Sequence, residues 1–590
     1  MPTFPRLLLL AASCTLLLAA CAAPTPLSGE NTKGSYQYTE NYLAWLIDHE
    51  MAENDITGLS IALIDDQQVI WQKGFGYADL ENKLPATPET VYRAGSIAKI
   101  FTAAATMQLA EQGKLDIDQP LAAALPEFSI KTRFPKAGPV TPRNVMTHHS
   151  GLPSNFLRDM YVREPGRFES VVDSLHDEHL TFPPDYVFSY SNVGMALLGA
   201  TVQKVSGEAF DDYMEGHFFR PLGMTRSSFA SRAIAKAYDR NKEIEVFSLR
   251  DMPAANLLSN VVDLSHFLKM QFAEGKYGGQ QVLSANTTRE MVRVQNADFP
   301  LTFNAYVGLG WMMHGIEIPG GGRVASHGGS LPDSHSMMAM LPEHKLGVVV
   351  LSNSTTSHAS VTKIASEALR LMLEAKTGIR QTPAPLIQAS ERAPSRDELR
   401  QFDGNFDTLV GLARVSTRSG QIDVEAVGHH FRLVPHDDGL LSVKYKLLGL
   451  IPVHVGAFDD IRLSLVTVDG RQIIVGRIGG ESMMFGEKLN PSSIPEAFLQ
   501  RIGQYEIIEK IDGPAPEHIS LQEENGILVG EVRFAEKPDM LLRIGFRAVS
   551  ENEAVTAGLG SGRGDTLRLI NTDNEDRLGF SGYHLRKKLN

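Results

Sequence analysis

The chain has 590 residues, of which 43% are hydrophobic and 21% are charged, and this ordinary globular composition excludes a disordered or collagen-like protein. The net charge of −13 argues against nucleic acid as a partner. Both cysteines, Cys14 and Cys21, stand near the start, which excludes a cysteine nucleophile, a thiolate metal site and a disulfide from the rest of the chain. A chain of this length predicts about three or four domains.

The first apolar run of the chain ends in Leu18-Ala19-Ala20-Cys21. It is too short for a convincing membrane span and predicts a secretory signal over residues 1–20. Its last four residues resemble the lipobox of bacterial lipoproteins. The resemblance implies that Cys21 is lipidated, that residues 21–35 form a tether, and that the protein is anchored in the cell envelope. In such lipoproteins Ala22, which stands where Asp would favour the inner membrane, favours the outer membrane. We expect the protein to face the periplasm, and the face of the outer membrane stays open. A plain signal cleaved elsewhere and an uncleaved anchor are the alternatives.

A helical pattern from residue 36 precedes a predicted hairpin of residues 59–64 and 69–71. A second hairpin is predicted at residues 315–318 and 323–326, around a Pro-Gly-Gly-Gly turn, before a buried strand at 346–351 and a helix at 360–375. The long segment between the hairpins has helical patterns. This order predicts an α+β fold for residues 36–376, with one antiparallel sheet assembled from both ends, flanked by helices and joined to a helical subdomain.

A polar linker with prolines is predicted at 377–397, and the chain beyond it is rich in short alternating strands. Two stretches of this region match each other. Residues 398–406 match 497–505, and Phe485-Gly486-Glu487-Lys488 matches Tyr583-His584-Leu585-Arg586. The match predicts two antiparallel, lipocalin-like all-β barrels at 398–490 and 497–590. Chance similarity of turn-rich strands is the alternative.

The strongest chemical signal is Gly95-Ser96-Ile97-Ala98-Lys99, at the start of a helical pattern that stops at Gln112-Gly113. Residues three apart share a helix face, so the hydroxyl of Ser96 and the amine of Lys99 can touch. A serine hydroxyl needs a neighbour that accepts its proton, and a lysine does so only when burial or nearby cations lower its pKa. The helix N-terminus adds N–H groups where an oxyanion would form. Alone, this motif more often marks a capped helix.

Two further motifs follow in order, Tyr190-Ser191-Asn192 and His327-Gly328-Gly329-Ser330. With the Ser-x-x-Lys motif they resemble the serine β-lactamase and penicillin-recognising hydrolase superfamily. The class C β-lactamase, D,D-peptidase, D-aminopeptidase and family VIII esterase branch is the most similar. A lesser match is Thr147-His148-His149-Ser150-Gly151, and the resemblance covers about residues 36–375.

The resemblance implies a two-step acyl transfer that needs no cofactor and no metal. Its substrate is a small molecule or short peptide with an amide, ester or lactam carbonyl. Ser96 would be the acylated nucleophile, Lys99 its proton partner and Tyr190 the general base. The substrate would be held by the side chain of Asn192 and by a strand that carries His327, Gly328, Gly329 and Ser330. The oxyanion hole would consist of the backbone N–H groups of Ser96 and Ser330.

His327 departs from the pattern, since many β-lactamases have lysine there and a neutral imidazole attracts a carboxylate less strongly. If His327 contacts an anionic substrate, kcat/KM should fall as the pH rises through about 6 to 7. The adjacent His148 and His149 point apart, which favours a loop over a metal site. Lactam, D-peptide and ester substrates stay open, and so does the oligomeric state. The alternative from another class is a non-catalytic penicillin-binding module whose barrels bind envelope components.

Overall fold

The computed structural model describes residues 29–380, 389–447, 451–453, 461–478, 481–535, 540–571 and 576–588. The predicted signal at 1–20, the lipidation site Cys21 and parts of the predicted tether and linker lie outside these ranges. Within them, no helix combines the length and the apolar character that crossing a bilayer requires.

A six-stranded antiparallel sheet lies at the centre of the first part of the chain. Strands are numbered in chain order, and those of the sheet are β1 (Gly58–Asp65), β2 (Gln68–Asp79), β3 (Leu84–Pro85), β12 (Ala325–Leu331), β13 (Ser334–Leu341) and β14 (Leu346–Ser352). Their order is β12-β13-β14-β1-β2-β3. β1 pairs with β14 from Leu59 opposite Ser352 to Asp65 opposite Leu346. The prediction that both ends of this region build one antiparallel sheet is therefore confirmed.

Helices cover both faces of this sheet, which explains why its central strands are buried along their whole length. Alternate residues of β1 belong to two different cores: Leu59, Ile61 and Leu63 face one core, while Ala62 and Ile64 face the other. The first core is completed by α1 (Gln37–Glu53) and α11 (His358–Thr377), and the second by α2 (Ala98–Glu111), α6 (Asn192–Ser206) and α9 (Val261–Phe272). A strand that is covered on both faces has a continuous run of apolar residues in its sequence.

The helical subdomain and its connections contain short elements. The remaining helices are α3 (Leu121–Ala124), α4 (Pro142–Met146), α5 (Ser170–Ser174), α7 (Phe210–Met214), α8 (Met252–Ala255) and α10 (Ala285–Met291). The short strands are β4 (Tyr92–Gly95), β5 (Tyr161–Val162), β6 (Tyr238–Asp239), β7 (Lys242–Glu243), β8 (Ser248–Leu249), β9 (Leu257–Ser259), β10 (Lys276–Tyr277) and β11 (Gln280–Gln281). Of these, β4 matters most for the site, because it ends at the residue before Ser96.

The second predicted hairpin was placed on the wrong residues. Residues 315–318 are not a strand, and the hairpin is formed by β12 and β13, with Ala325 opposite Met340 and Leu331 opposite Ser334. Ile316 and Ile318 are nevertheless buried, because they pack as a loop against the core beside α11. Alternating burial in a packed loop imitated the alternation of a strand.

Two antiparallel barrels follow, as predicted. The first is preceded by α12 (Arg396–Phe402) and contains β15 (Gly404–Thr408), β16 (Gly411–Ser416), β17 (Ile422–Ala426), β18 (His429–Pro435), β19 (Leu441–Leu447), β20 (Ile451–Val453), β21 (Ile461–Val468), β22 (Arg471–Ile478) and β23 (Glu481–Leu489). Pairing of β18 with β19 closes it. The second is preceded by α13 (Glu496–Leu499) and closes β24 (Gly503–Ile507), β25 (Pro516–Glu524), β26 (Ile527–Phe534), β27 (Leu542–Ala548), β28 (Glu553–Thr556), β29 (Thr566–Asn571), β30 (Asp576–Phe580) and β31 (Tyr583–Lys587).

The internal repeat is visible in the way each barrel closes onto its leading helix. Lys488 of the first barrel lies opposite Phe406 and donates to the carbonyl of Gln401. Lys587 of the second lies opposite Tyr505 and donates to the carbonyl of Gln500. The equivalent of Lys488 is thus Lys587, so the predicted match of the two C-terminal stretches was shifted by one residue. We propose 36–376, 398–490 and 497–590 as the folding units.

Both barrels contact the hydrolase-like part of the chain. Buried residues of all three parts, Phe182, Val187, Ile473, Val475 and Leu559, form one apolar cluster. Ion pairs join the second barrel to the helical subdomain: Arg133 to Glu553 at 2.8 Å and Arg568 to Glu178 at 2.9 Å. A buried ion pair of 2.6 Å between Arg563 and Asp407 joins the two barrels. The segment 557–564, between β28 and β29, is held by these contacts against the candidate site.

Candidate active site

Ser96 stands between the end of β4 and the start of α2. Gly95 precedes it with φ of +56°, a conformation that favours glycine, and turns the chain from the strand into the helix. The side chain of Ser96 is partly exposed, whereas every residue from Ala98 to Leu109 of α2 is buried. The helix ends at Glu111, as predicted from Gln112-Gly113. The sequence therefore presents one hydroxyl at the open end of a buried helix.

The amine of Lys99 has three polar neighbours. Nζ lies 2.8 Å from Oδ1 of Asn192, 2.8 Å from the carbonyl oxygen of Ala254 and 3.1 Å from Oγ of Ser96. The first two neighbours can only accept hydrogen bonds, while the hydroxyl can also donate. A neutral amine has two N–H donors and one lone pair. If its two hydrogens bond the two acceptors, its lone pair faces Ser96.

Burial favours this neutral form. The side chain of Lys99 has no solvent exposure, and burial lowers its pKa well below the usual value for lysine. The carboxylate of Asp251, which is also fully buried, opposes this shift. Asp251 is itself paired with Arg250 at 2.8 Å, and that guanidinium also donates to the carbonyls of Phe156 and Arg158. The charge of Asp251 is therefore partly neutralised.

Tyr190 lies over Lys99 with its ring centre 4.6 Å from Nζ. Burial raises the pKa of its phenol above the usual range, and a hydrogen bond with Ser96 opposes the shift. The ring packs against that of His148 at 4.3 Å between ring centres. Its backbone N–H donates to Oγ of Ser561, 2.8 Å away in the second barrel. The phenol is therefore protonated and touches Ser96. The ring of Tyr190 is held by His148, and its backbone is held by Ser561.

Asn192 is the first residue of α6. Ser191 before it caps the helix by accepting from the N–H of Gly194 at 2.8 Å, which fixes where the helix begins. The side-chain amide of Asn192 donates to Oδ1 of Asn155 at 2.8 Å while its oxygen accepts from Lys99. Both ends of the amide are therefore engaged and its orientation is set.

His327 is the third residue of β12 and is buried beside Tyr190, with ring centres 6.1 Å apart. Burial, with a smaller effect of Lys99, lowers the pKa of His327 to about 3. Its Nδ1 lies 2.8 Å from the carbonyl of Gly328 and must carry the hydrogen, which leaves the lone pair on Nε2. His327 is therefore neutral at about pH 6 to 7, and the fall in kcat/KM that is expected if His327 contacts an anionic substrate stays a prediction.

The glycines of β12 let this strand approach the nucleophile. A Cβ on Gly329 would lie 2.1 Å from the carbonyl oxygen of Ala94 and 2.2 Å from Oγ of Ser336. An added Cβ on Gly95 would lie 3.2 Å from the backbone nitrogen of Ser330. The N–H groups of Ser96 and Ser330 are thus brought to the same end of the site. All eight predicted site residues of this part of the chain lie together.

Five neighbours were not predicted: Asp251, the Ala254 carbonyl, Asn155 as the partner of Asn192, His148 as a packing partner of Tyr190, and Ser561. The sequence pointed to His148, because this residue belongs to the matched stretch of residues 147–151. Its φ of +59° fits the predicted loop. Asp251 and Ala254 belong to a segment without a motif. Ser561 belongs to the glycine-rich stretch Gly558-Leu559-Gly560-Ser561-Gly562, which is typical of a turn, and nothing in its sequence indicates that the turn reaches Tyr190. In the described ranges, no group of three or more His, Cys, Asp and Glu residues is arranged to hold a metal.

The fold and the Ser-Lys-Tyr constellation are those of an active-site serine hydrolase. The sequence profile of the Beta-lactamase family matches residues 43–371, more than half of the chain. The chain belongs to this family, whose members are serine hydrolases related to penicillin-binding proteins.

Individual relatives are distant. Protein flp of Staphylococcus aureus is 27% identical over 325 residues, which cover 53% of this chain and 63% of that protein. The match therefore spans less than two thirds of that relative. Penicillin-binding protein 4 of Amycolatopsis lactamdurans is 26% identical over 377 residues, 61% of this chain and 95% of that one. The crystal structure of SurE superposes on 77% of this chain and all of its own with a TM-score of 0.54 at 22% identity, a likeness of fold.

Replacing Gly329 by Ala should separate β12 from β4, because the new Cβ would meet backbone and a short side chain that cannot move away. We expect a stability loss of about 1–3 kcal/mol, seen as a lower melting temperature, and a larger loss in the acylation rate. Gly328→Ala is the matched control, since its Cβ would lie 3.3 Å from the flexible end of Met337 and at an ordinary contact distance of 3.6 Å from the carbonyl oxygen of Ser336. It should change stability by about 0.5 kcal/mol or less. Equal effects of the two substitutions would contradict the close approach of the strands.

Proposed function

We propose that this protein hydrolyses amide, ester or lactam carbonyls through an acyl-enzyme on Ser96. The observation that carries the proposal is the position of the Lys99 amine, which is buried, lies 2.8 Å from each of two acceptors and lies 3.1 Å from the Ser96 hydroxyl. With its two hydrogens on those acceptors, the neutral amine turns its lone pair toward Ser96. A serine with such a neighbour is an activated nucleophile. A lysine that served packing alone would not need three polar partners.

In the acylation step, Oγ of Ser96 attacks the carbonyl carbon while its proton moves to Nζ of Lys99. The negative charge that develops on the carbonyl oxygen is stabilised by the N–H groups of Ser96 and Ser330. The proton then passes through the hydroxyl of Tyr190 to the leaving nitrogen or oxygen, and the bond to that atom breaks. The directions of the two pKa shifts favour Lys99 as the base and the protonated phenol as the relay.

In the deacylation step, water attacks the carbonyl carbon of the acyl-enzyme ester and gives a proton to Lys99 and Tyr190. These residues return a proton to Oγ of Ser96 as the bond between Oγ and the carbonyl carbon breaks and the acid leaves. Asn192 holds the substrate amide, and the edge strand from Gly328 to Ser330 lies where a substrate backbone would run. Because His327 is neutral and buried, the site has no histidine charge that demands a substrate carboxylate. This favours carboxylesterase activity as a second candidate, beside D,D-peptidase, D-aminopeptidase and β-lactamase activity.

Labelling of Ser96 tests the proposal. The purified protein is incubated with a fluorescent penicillin, a fluorophosphonate, p-nitrophenyl esters and D-amino-acid amides. D-amino-acid amides are included because a SurE structure was solved with D-Leu. Ser96→Ala should abolish labelling and turnover, and Lys99→Met, which removes only the amine, should reduce the acylation rate by at least about 1,000-fold.

Ser189→Ala is the control for this experiment, because the Ser189 hydroxyl is buried next to Tyr190 and has no hydrogen-bond partner among the described residues. It should stay within about twofold of the wild-type rate. Labelling of Ser96→Ala as strong as wild type, or no reaction of the wild type with any probe, would favour a non-catalytic penicillin-binding module.

The pH profile separates the roles of Lys99 and His327. The proposed base must be unprotonated, so kcat/KM should rise as the pH rises through the lowered pKa of Lys99. With a pKa of about 3, His327 stays neutral between about pH 5 and 8 and adds no fall through 6 to 7. His327→Asn, which cannot titrate, should therefore keep the wild-type shape of the profile. A fall in the wild type that His327→Asn removes would show that the imidazole is protonated in the working enzyme.

We further propose that the protein is a lipoprotein anchored through Cys21 in the outer membrane, with the hydrolase in the periplasm. In a bacterial host, the wild type and Cys14→Ser should incorporate labelled palmitate and sediment with membranes, because Cys14 belongs to the proposed signal. Cys21→Ser should lose both properties. Palmitate incorporation into Cys21→Ser at the wild-type level would contradict lipidation at this residue.

A further inference from the structure

A cavity of about 640 Å³ lies where the helical subdomain and the two barrels meet. Cavities of about 300 to 1,000 Å³ are typical of small-ligand sites. Arg133 from the helical subdomain, Arg471 of β22 and Arg547 of β27 all line it. These three arginines are far apart in sequence and converge only in the assembled molecule, where Lys488 of the first barrel also lines the cavity. None of the motif residues around Ser96 lines this cavity, so it is separate from the candidate active site.

The charges that line the cavity leave one cation without a partner. Arg133 pairs with Glu553 at 2.8 Å, and Arg471 pairs with Glu487 at 2.8 Å. Lys488, which also lines the cavity, donates to the carbonyl of Gln401. Arg547 is exposed and has neither a carboxylate nor a hydrogen-bond acceptor among the described residues. Arg547 is therefore the lining cation that can take a carboxylate without giving up an existing partner.

The electrostatic environment of Arg547 points the same way. Partial loss of solvent around the guanidinium lowers the pKa of Arg547, and the nearby positive charges of Arg471 and Arg133 lower it further, while Glu487 opposes them. An anion in the cavity would relieve this repulsion. A guanidinium presents two parallel N–H groups that match the two oxygens of a carboxylate.

Most of the lining surface is apolar. It includes Phe134, Leu180 and Phe182 of the helical subdomain, Leu489 of the first barrel and Ile527 of the second. A ligand that fills this space must bury an apolar body beside its charged group. We propose that this cavity, called the junction cavity, binds an organic monoanion in which a carboxylate is joined to an apolar body, with the carboxylate on Arg547.

Octanoate is a suitable probe, and its binding to the full chain is measured by isothermal titration calorimetry. We expect one site per chain. Octanamide has the same apolar chain without the charge, acetate has the charge without the chain, and both should bind at least about tenfold more weakly. Octyl phosphate should bind no more tightly than octanoate, because a second negative charge would find no unpaired cation.

Arg547→Gln should weaken octanoate binding at least about tenfold and leave octanamide binding unchanged. Arg418→Gln is the matched control, since Arg418 is exposed in the first barrel and does not line the junction cavity. Melting curves check that the variants fold. If Arg547→Gln does not fold, Arg547→Lys keeps the charge without the planar fork and should bind octanoate about two- to tenfold more weakly than wild type.

Several results would overturn the proposal. Equal affinity for octanoate and octanamide would show that charge plays no part, and wild-type affinity in the Arg547 variants would place the carboxylate elsewhere. A stoichiometry well above one would indicate surface adsorption. A tenfold preference for octyl phosphate would contradict a monoanion. The titrations are repeated in Ser96→Ala, which cannot hydrolyse octanamide to octanoate, so that the outcome does not depend on the reactivity of Ser96.

Discussion

The site depends on the complete desolvation of one lysine side chain, that of Lys99. Lys99 is completely buried, and its hydrogen-bond partners are two acceptors and one hydroxyl, an arrangement that suits an amine better than an ammonium. The same loss of water acts on its neighbours. Burial lowers the pKa of His148 and His327 and raises that of Tyr190. The groups around Ser96 are therefore mostly neutral. The proton that leaves the serine can then move between Lys99 and Tyr190, which are both uncharged before the reaction.

Such a lysine requires a rigid surrounding, which the fold supplies from distant parts of the chain. Ser96 and Lys99 are carried by the start of α2, Asn192 by the start of α6, and Ser330 by the edge strand β12. The acceptor at Ala254 is the end of a short helix. Each group lies at a helix end or on an edge strand, and such a position moves less than a loop. Gly95 and Gly329 allow the start of α2 and the strand β12 to approach each other closely.

Sequence patterns predicted those parts of the structure whose secondary structure is determined by the local sequence. The α2 helix follows from its apolar run and terminal glycine, the sheet from two separated strand patterns, and the barrels from their repeat. Errors arose where packing overrides pattern. Ile316 and Ile318 alternate like a strand but pack as a loop, and the ordinary pKa of His327 gave no sign of its burial. Asp251 and Ser561 could not be found, because only the fold brings them to the site.

The contact at Ser561 bears on what the barrels do. The backbone N–H of Tyr190 lies at a loop position, and without the barrel it would be satisfied by water. Ser561 replaces that water at 2.8 Å, and its segment is fixed to the first barrel by the buried pair of Arg563 and Asp407. A buried pair of this kind is costly to break, since either partner alone would leave an uncompensated charge. The segment is thus anchored on both sides while it holds Tyr190. A barrel that only bound ligands elsewhere would not need this anchor, which argues that the second barrel is part of the wall of the active site.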